Sequence, residues 1–292
     1  MFSGALTALI TPMRDGAIDL AALRDLVEWQ IAEGIDGLVA CGTTGETPTL
    51  SLEEQRQVIR AVVETTRGRV PVIAGAGAND TTKALAASAA ATELGVDALL
   101  HVTPYYNKPP QRGLLTHFRT VADAATKPIV LYNVPGRTGC RLEAETVAAL
   151  AEHPQIVAVK EAAGDIAAGQ ALIAACAGRE IAVLSGDDAL AMALTCMGGR
   201  GVISVVSNIA PRKTAQLIAA TREGHLDEAR RLHYELLPLI NLLFCESNPI
   251  PVKAAAARLG FGANELRPPL APLESEKLAA LEAELDRQGI QR

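Results

Sequence analysis

The sequence contains few aromatic residues and few cysteines. Only 3% of its 292 residues are aromatic, with one Trp, four Tyr and four Phe, and the five Cys are widely spaced without a C-x-x-C pair. An odd number of scattered cysteines argues against a disulfide framework or a cysteine zinc site. We therefore expect a protein of the reducing cytoplasm. In so aromatic-poor a chain, the positions of the tyrosines carry information.

Clustered positive charge and long apolar runs are also missing. The formal net charge is -6, and the 27 Lys and Arg are scattered, which argues against a nucleic-acid or anionic-membrane surface. No apolar run approaches the roughly 18 residues that a membrane helix needs, and the N-terminus lacks the basic region of a signal peptide. None of the five His has metal-ligand spacing to another His or Cys. The sequence therefore predicts no nucleic acid, membrane, metal or cofactor as a partner.

Short apolar runs rich in β-branched residues recur along the first two hundred positions, with helix-like segments between them. One such segment follows a capping box formed by Ser51 and Glu54. Continuous apolar strands that alternate with helices are typical of a parallel sheet covered on both faces. Eight units predict a closed (β/α)8 TIM barrel over residues 1–223, with a doubly wound open sheet as the alternative. The strands are predicted to begin near Leu6, Gly37, Val70, Ala98, Pro128, Ile156, Ile181 and Gly201.

The last part of the chain, residues 224–292, has no strand pattern. It is predicted to form three helices, interrupted at the segment ESNP (246–249) and at Pro268–Pro269, because proline-rich segments end helices. We therefore expect a C-terminal three-helix appendage as a second domain. Its position alone leaves open whether it takes part in an oligomer contact.

Lys160 is the most informative residue at a predicted strand end, where barrel enzymes carry their chemistry. It follows the apolar run IVAV, and lysine is scarce in this chain, with seven residues against twenty Arg. Apolar surroundings hydrate an ammonium poorly and favour the neutral amine, which is the nucleophile of a Schiff-base enzyme. The alternative is a lysine paired with the carboxylate of Glu161 or Asp187.

Three of the four tyrosines lie at the ends of two neighbouring strands. Tyr105 and Tyr106 follow strand 4, and Tyr132 lies on strand 5. Imine formation needs a proton shuttle, and a phenol near the amine can provide it. We predict this role for Tyr132, with Thr43 and Tyr106 passing the proton to solvent; tyrosines that merely cap the barrel core are the alternative. Arg137, in the turn PGRTG, suits a carboxylate substrate unless it is an ordinary surface arginine.

Five motifs occur in the order and form of one known family. They are GTTGE from Gly42, PYYN from Pro104, YNVPGRTG from Tyr132, VKE from Val159 and SGDD from Ser185. Over essentially its whole length the chain resembles the dihydrodipicolinate synthases. The resemblance implies a class I, pyruvate-dependent lyase on a (β/α)8 barrel, assembled as a homotetramer that is a dimer of dimers. Such an enzyme condenses pyruvate with L-aspartate 4-semialdehyde in diaminopimelate and lysine biosynthesis.

The resemblance also implies the catalytic residues. Lys160 would form the Schiff base with pyruvate, and Tyr132 would be the acid and base at the amine. Thr43 would link Tyr132 to Tyr106, whose family equivalent reaches into the site of the partner subunit.

Four further residues are implied to bind the substrates. The backbone of Thr44 would hold the carboxylate of pyruvate, with Gly186 and Ile203 lining that end of the pocket. Arg137 would take the carboxylate of the semialdehyde. N-acetylneuraminate lyase and the sugar-acid aldolases share the Schiff-base lysine but usually lack the GRTG form. Two alternatives stay open, namely another pyruvate-dependent class I aldolase of the superfamily and a catalytically silent barrel that binds a partner.

The chain departs from the family pattern at the site where L-lysine inhibits many members. Lys83 stands where lysine-sensitive members carry an acidic residue, and Leu52 and Gln55 stand where they often carry histidines. Two like charges about 4 Å apart at an effective dielectric near 20 repel by about 4 kcal/mol. We predict weak or absent inhibition by L-lysine. The positions that match the effector site are Thr47, Pro48, Leu52, Gln55, Asn79, Lys83 and Tyr105.

Overall fold

Eight parallel strands form a closed barrel in the computed structural model, which describes residues 2–291. Each strand pairs with its neighbours in the chain, and the last strand closes on the first with Gly4 opposite Gly201 and Thr7 opposite Ser204. This confirms the predicted barrel and excludes the open sheet. The strands are β1 (Gly4–Ala8), β2 (Gly37–Ala40), β3 (Val72–Gly75), β4 (Ala98–Val102), β5 (Ile129–Asn133), β6 (Ile156–Glu161), β7 (Ala182–Ser185) and β8 (Gly201–Ser204).

Helices follow the strands, and polar side chains set where several of them begin. Asp19 caps the first helix, Ser51 and Glu54 form the predicted capping box of the second, and Asp80 caps the third. Within residues 2–291, none of the helices combines the length and the apolarity needed to cross a bilayer. The helices of the barrel are α1 (Leu20–Ala32), α2 (Leu52–Thr66), α3 (Thr81–Glu93), α4 (Gln111–Ala124), α5 (Ala144–Leu150), α6 (Ile166–Ala175), α7 (Ala191–Cys196) and α8 (Pro211–Glu223).

Apolar side chains pack on both faces of the barrel sheet. One cluster fills the barrel interior and includes the ring of Tyr132. Two larger clusters lie between the strands and the surrounding helices. Because both faces are covered, the strands are continuous apolar runs in the sequence. The interior cluster includes Leu6, Val39, Ile73, Leu100, Val130, Ala158, Leu184 and Ile203.

The predicted C-terminal helices are present as α9 (Leu226–Leu243), α10 (Ile250–Arg258) and α11 (Ser275–Arg287). The two proline segments lie between these helices, as predicted. Leu239 of α9 and Leu281 of α11 belong to the same apolar cluster as residues of β1 and α1. The tail therefore shares a core with the barrel, while the domain boundary after residue 223 stays a prediction.

Candidate active site

The buried side chain of Lys160 lies beside Tyr132 on the neighbouring strand. β5 and β6 pair so that these two residues are in register, and their exposed fractions are 5% and 6%. The Lys160 Nζ atom lies 4.4 Å from the centroid of the Tyr132 ring, a distance at which an aromatic face attracts a cation. The barrel therefore places a lysine and a phenol together at the carboxyl ends of two adjacent strands.

The two carboxylates considered as partners for Lys160 are engaged elsewhere. Glu161 accepts hydrogen bonds from Asn133 Nδ2 at 2.8 Å and from the backbone N of Ala163 at 2.7 Å. Burial raises the pKa of Glu161 above its ordinary value. Asp187 accepts from a backbone N–H two residues further on. Residues 2–291 hold no group of three or more His, Cys, Asp or Glu arranged to bind a metal ion. The structure thus leaves the lysine amine available.

Gly186 leaves the space that the lysine side chain occupies. A Cβ atom at this position would lie 2.8 Å from Cε of Lys160 and 2.7 Å from Cβ of Ala162, which is too close for carbon atoms in a packed interior. Ile203 on β8 is fully buried in the same interior cluster as Tyr132. Of the two residues predicted to line the pyruvate pocket, Gly186 therefore borders the lysine, and Ile203 belongs to the barrel interior that includes the phenol.

The loop after β2 carries Thr43 and Thr44 in one 3-10 turn, Thr43–Gly45. It crosses closely over the end of β3, because a Cβ at Gly75 would lie 1.9 Å from the carbonyl oxygen of Cys41. Thr44 is buried and Thr43 is half-buried. No hydrogen bond in the described chain joins Thr43 to a tyrosine, so the predicted proton relay stays a prediction.

Tyr106 is not brought to the lysine within one chain. Its side chain is 89% exposed and its backbone is left-handed, with a φ of 73°, a conformation that costs energy for a bulky residue. The preceding Tyr105 is 41% exposed. Both aromatic side chains therefore face solvent, in contrast to the buried Tyr132.

Arg137 lies in a one-turn helix, Pro135–Thr138, that follows β5. Asn133, at the end of β5, holds the chain that follows this turn, because its Oδ1 accepts from the backbone N of Leu142 at 2.9 Å. The guanidinium donates from Nη2 to the backbone carbonyl of Asn248 at 3.0 Å. The side chain is otherwise exposed at the carboxyl end of the barrel, where it suits the binding of a carboxylate.

Three residues of the tail contact the loop after β2, and none of them belongs to the site predicted from the sequence. Asn248 Nδ2 donates to Thr44 Oγ1 at 3.0 Å. Lys253 Nζ forms a fully buried ion pair with Glu46 at 2.6 Å, and the backbone N of Arg267 donates to the other oxygen of Glu46 at 3.3 Å. Burial lowers the pKa of Lys253, although Glu46 opposes this. The C-terminal tail therefore holds the loop that carries both threonines.

A sequence signal existed for one of these contacts. Lys253 is the only charged residue in the run IPVKAAAA (250–257), and a lysine is almost never fully buried without a partner. A buried counter-charge could therefore have been expected. Its partner Glu46 is 207 residues away, and nothing local connects the two.

The predicted effector positions form local contacts at the surface. Asn79 Nδ2 donates to the backbone carbonyl of Tyr105 at 3.2 Å. Gln55 Nε2 donates to the carbonyls of Thr47 and Leu50 at 3.4 and 3.1 Å, so its amide nitrogen is engaged within its own loop. The side chain of Leu52 is 74% exposed. The other exposed effector positions are Pro48, Lys83 and Tyr105.

Comparisons with known proteins agree with this arrangement. The model of the dihydrodipicolinate synthetase family matches residues 1–288. A 4-hydroxy-tetrahydrodipicolinate synthase of Pelobacter propionicus is 52% identical over 290 residues, which are 99% of this chain and 100% of the relative. The structure of a chloride-inhibited dihydrodipicolinate synthase from Acinetobacter baumannii, complexed with pyruvate, has 45% identity and a TM-score of 0.97 over 99% of this chain and 100% of that chain. A monomeric dihydrodipicolinate synthase variant has 41% identity and a TM-score of 0.98 over 99% and 97%. The chain therefore belongs to the dihydrodipicolinate synthetase family.

Proposed function

We propose that this chain acts as a 4-hydroxy-tetrahydrodipicolinate synthase, condensing pyruvate with L-aspartate 4-semialdehyde on the route to diaminopimelate and lysine. The observation that carries the proposal is the buried Lys160, in register with Tyr132 at the mouth of the barrel. An amine beside a phenol is the pair that Schiff-base catalysis requires. The family match over almost the whole chain supplies the identity of the substrates.

In the first half of the reaction, Lys160 and Tyr132 form an imine with pyruvate. The neutral amine adds to the keto carbon, and the keto oxygen becomes a hydroxyl as it takes up a proton. The Tyr132 phenol then delivers a proton to that hydroxyl, which leaves as water. A proton from the nitrogen restores the phenol, so Tyr132 acts as both acid and base.

In the second half, the bound pyruvate becomes a carbon nucleophile. Loss of a methyl proton gives an enamine, whose terminal carbon attacks the aldehyde carbon of the second substrate, and the aldehyde oxygen takes up a proton. The amino group of the condensed chain then adds to the imine carbon. The bond from this carbon to Lys160 breaks, which releases the cyclic product and restores the free amine.

The substrate carboxylates have separate proposed sites. Pyruvate binds with its carboxylate at Thr44, in a pocket bounded by Gly186 and Ile203, and its keto carbon at Lys160. Thr44 and Ile203 are buried, and Gly186 borders the lysine side chain, which supports this assignment. Arg137 takes the carboxylate of the semialdehyde, because its guanidinium is exposed at the carboxyl end of β5.

The proposed assembly is a homotetramer, a dimer of dimers, in which Tyr106 completes the site of the partner subunit. Its 89% exposed side chain, next to the exposed Tyr105, supports this proposal. Exposed aromatic side chains are typical anchors of protein interfaces. The role of Thr43 as the link between Tyr132 and Tyr106 belongs to the same proposal, because the relay needs both subunits.

The proposed location is the cytoplasm. The five cysteines of the chain are free, and Cys41 and Cys176 are buried. Burial raises the pKa of the Cys41 thiol to about 12, which keeps it in the unreactive thiol form. Free thiols suit a reducing compartment.

Borohydride reduction in the presence of pyruvate, followed by mass spectrometry of the modified peptide, tests the Schiff base. We expect a pyruvate adduct on the peptide that carries Lys160, and its loss in Lys160→Ala. Arg137→Ala keeps the adduct but lowers kcat/KM for L-aspartate 4-semialdehyde by about 100-fold, since a charge-assisted contact to the carboxylate is lost.

The matched control is Lys127→Ala, which removes a lysine before the amino end of β5. This variant should form the adduct at the wild-type rate. An adduct on any peptide other than that of Lys160 contradicts the mechanism. Sugar aldehydes and N-acetylmannosamine, assayed in parallel, distinguish the proposed activity from that of other pyruvate-dependent aldolases.

A further inference from the structure

A buried ion pair joins the loop after β2 to the tail. Lys253 Nζ on α10 lies 2.6 Å from Oε1 of Glu46, and the two side chains are 1% and 0% exposed. The other carboxylate oxygen of Glu46 accepts from the backbone N of Arg267 at 3.3 Å. Both oxygens of this carboxylate are therefore held by residues of the tail.

Stability alone does not explain why two charges are buried at this place. Burial removes their hydration, and apolar side chains of similar volume often stabilise a protein as well as a buried ion pair does, or better. A hydrogen bond between charged groups differs from an apolar contact because it defines both a distance and a direction. What the pair provides is therefore a defined position of Glu46 relative to the tail.

Glu46 separates two short 3-10 turns and has a left-handed backbone. The turns are Thr43–Gly45 and Thr47–Thr49, and the φ of Glu46 is 56°. This conformation costs energy for a residue with a side chain, so it persists only where the surroundings hold it. The ion pair supplies part of this support and stabilises the direction that the chain takes between the two turns.

The backbone of Glu46 also closes the turn that carries both threonines. Its N–H donates to the carbonyl oxygen of Thr43 at 3.1 Å. Thr44 lies between these two residues, and the proposed function assigns the carboxylate of pyruvate to its backbone. A shift of Glu46 would therefore open the turn and displace the group that holds pyruvate.

We propose that Glu46 and Lys253 are positioning residues for pyruvate. Their ion pair fixes the turn Thr43–Gly45 in the geometry that accepts the substrate carboxylate. Lys160 and Tyr132 belong to β6 and β5 and not to this loop, so loss of the pair should weaken the binding of pyruvate more than the formation of the imine. The inference rests on the proposed function, which places pyruvate at Thr44.

The test replaces both charges at once, in the double variant Glu46→Met/Lys253→Met, so that neither is left buried without a partner. We expect a melting temperature within about 5 °C of wild type, because apolar side chains can replace a buried pair. The pyruvate concentration that gives half of the maximal rate of borohydride trapping should rise by about 10- to 100-fold. The maximal trapping rate at saturating pyruvate should fall by less than about threefold.

Glu46→Gln decides the result if the double variant does not fold. It keeps an acceptor oxygen for Lys253 but removes the negative charge, and hydrogen bonds between charged groups are the stronger ones. We expect the half-saturating pyruvate concentration to rise by about 3- to 10-fold. In a chain without a folded double variant, a wild-type value in Glu46→Gln overturns the inference.

The matched control is Lys213→Met/Glu235→Met. It removes another ion pair between the barrel and the tail, which joins α8 to α9 at 2.7 Å. Because neither residue belongs to the loop after β2, the half-saturating pyruvate concentration should stay at the wild-type value. An equal rise in this control would overturn the specific role of Glu46 and Lys253.

A wild-type half-saturating concentration in the folded double variant would likewise overturn the inference and leave the pair a structural contact. Wild-type turnover is measured first. If wild-type enzyme forms no product from pyruvate and L-aspartate 4-semialdehyde, the proposed function itself fails. Normal wild-type turnover with unchanged half-saturation in the double variant overturns only the positioning role of the pair.

Discussion

The side chain of Lys160 packs directly against Gly186, and this close contact has a measurable consequence. A Cβ at Gly186 would lie 2.8 Å from Cε of the lysine, so Gly186→Ala must displace the amine. A displacement of about 1 Å in a reacting group can cost about 100-fold in rate. We expect kcat and the rate of borohydride trapping to fall by about that factor, while circular dichroism shows a folded protein.

Gly113→Ala is the control for this substitution. Gly113 lies in α4, where an added Cβ has its nearest neighbour at 3.4 Å, an ordinary contact distance, and alanine favours a helix. Wild-type trapping in Gly186→Ala would show that the lysine does not depend on the space left by this glycine.

At the level of single residues, the sequence allowed prediction of those that stand at strand ends. Lys160 and Tyr132 belong to apolar runs, so their strand positions followed from the pattern, and register then brought them together. Asn248 lies outside any strand pattern and reaches Thr44 across 204 residues. Such a contact depends on tertiary packing, which periodicity does not encode.

Two buried histidines join α3 to its neighbouring elements. His101 on β4 lies 3.2 Å from the hydroxyl of Ser88 on α3, and His117 on α4 lies 2.9 Å from that of Thr81 at the start of α3. Burial lowers the pKa of His101 to about 3 and also lowers the pKa of His117. Both rings are therefore neutral in the folded protein at pH values where the unfolded chain is already protonated.

This difference predicts a loss of stability in mild acid. The pKa of His101 is lower in the folded protein than in the unfolded chain. Its contribution to the free energy of unfolding is therefore fully present above the unfolded pKa near 6.5 and declines as the pH falls towards about 3. Between pH 6.5 and 5.0 the free energy of unfolding should fall by about 2 kcal/mol through this residue alone. Urea or thermal unfolding of wild type and His101→Gln over this range measures the difference, and the variant should lose less stability.

The decisive quantity is the difference in the free energy of unfolding between wild type and His101→Gln as the pH is lowered. Burial raises the pKa of Glu161, so protonation of this carboxyl increases the free energy of unfolding as the pH falls. This effect is opposite in sign to that of His101. It contributes equally to wild type and variant. Parallel stability curves for the two proteins would contradict the assignment to His101.

At the level of elements, the barrel was predictable because each strand and each capped helix is encoded locally. Eight apolar runs and the capping box at Ser51 and Glu54 sufficed to place them. The tail helices were also predictable, but their packing was not. Lys253 and Glu46 form a fully buried pair between the tail and the loop after β2, two segments that no sequence pattern connects.

For the whole molecule, the effector site gives a prediction about regulation. Lys83 is exposed at the start of α3, and the amide nitrogen of Gln55 donates within its own loop, so neither residue offers a negative charge to a lysine ammonium. We expect millimolar L-lysine to leave turnover unchanged in the wild-type enzyme. Steady-state assays with increasing L-lysine measure this directly.

Lys83→Glu provides the matched variant. It replaces the repelling charge by an attracting one, so any inhibition by L-lysine should be stronger than in wild type. A micromolar inhibition constant for the wild-type enzyme would rule out the proposed insensitivity.

The contacts from the tail to the loop after β2 also determine when this loop can become fixed during translation. Thr44 and Glu46 leave the ribosome long before the residues that hold them, which lie 204 and 207 positions further along the chain. Until then the Glu46 carboxylate has no counter-charge, and a carboxylate without one is costly to bury, so the loop of a nascent chain stays hydrated. Lys160 and Tyr132 are made in the meantime. The loop that we propose to hold pyruvate is therefore fixed only once the tail is made, and not when the last strand of the barrel is complete.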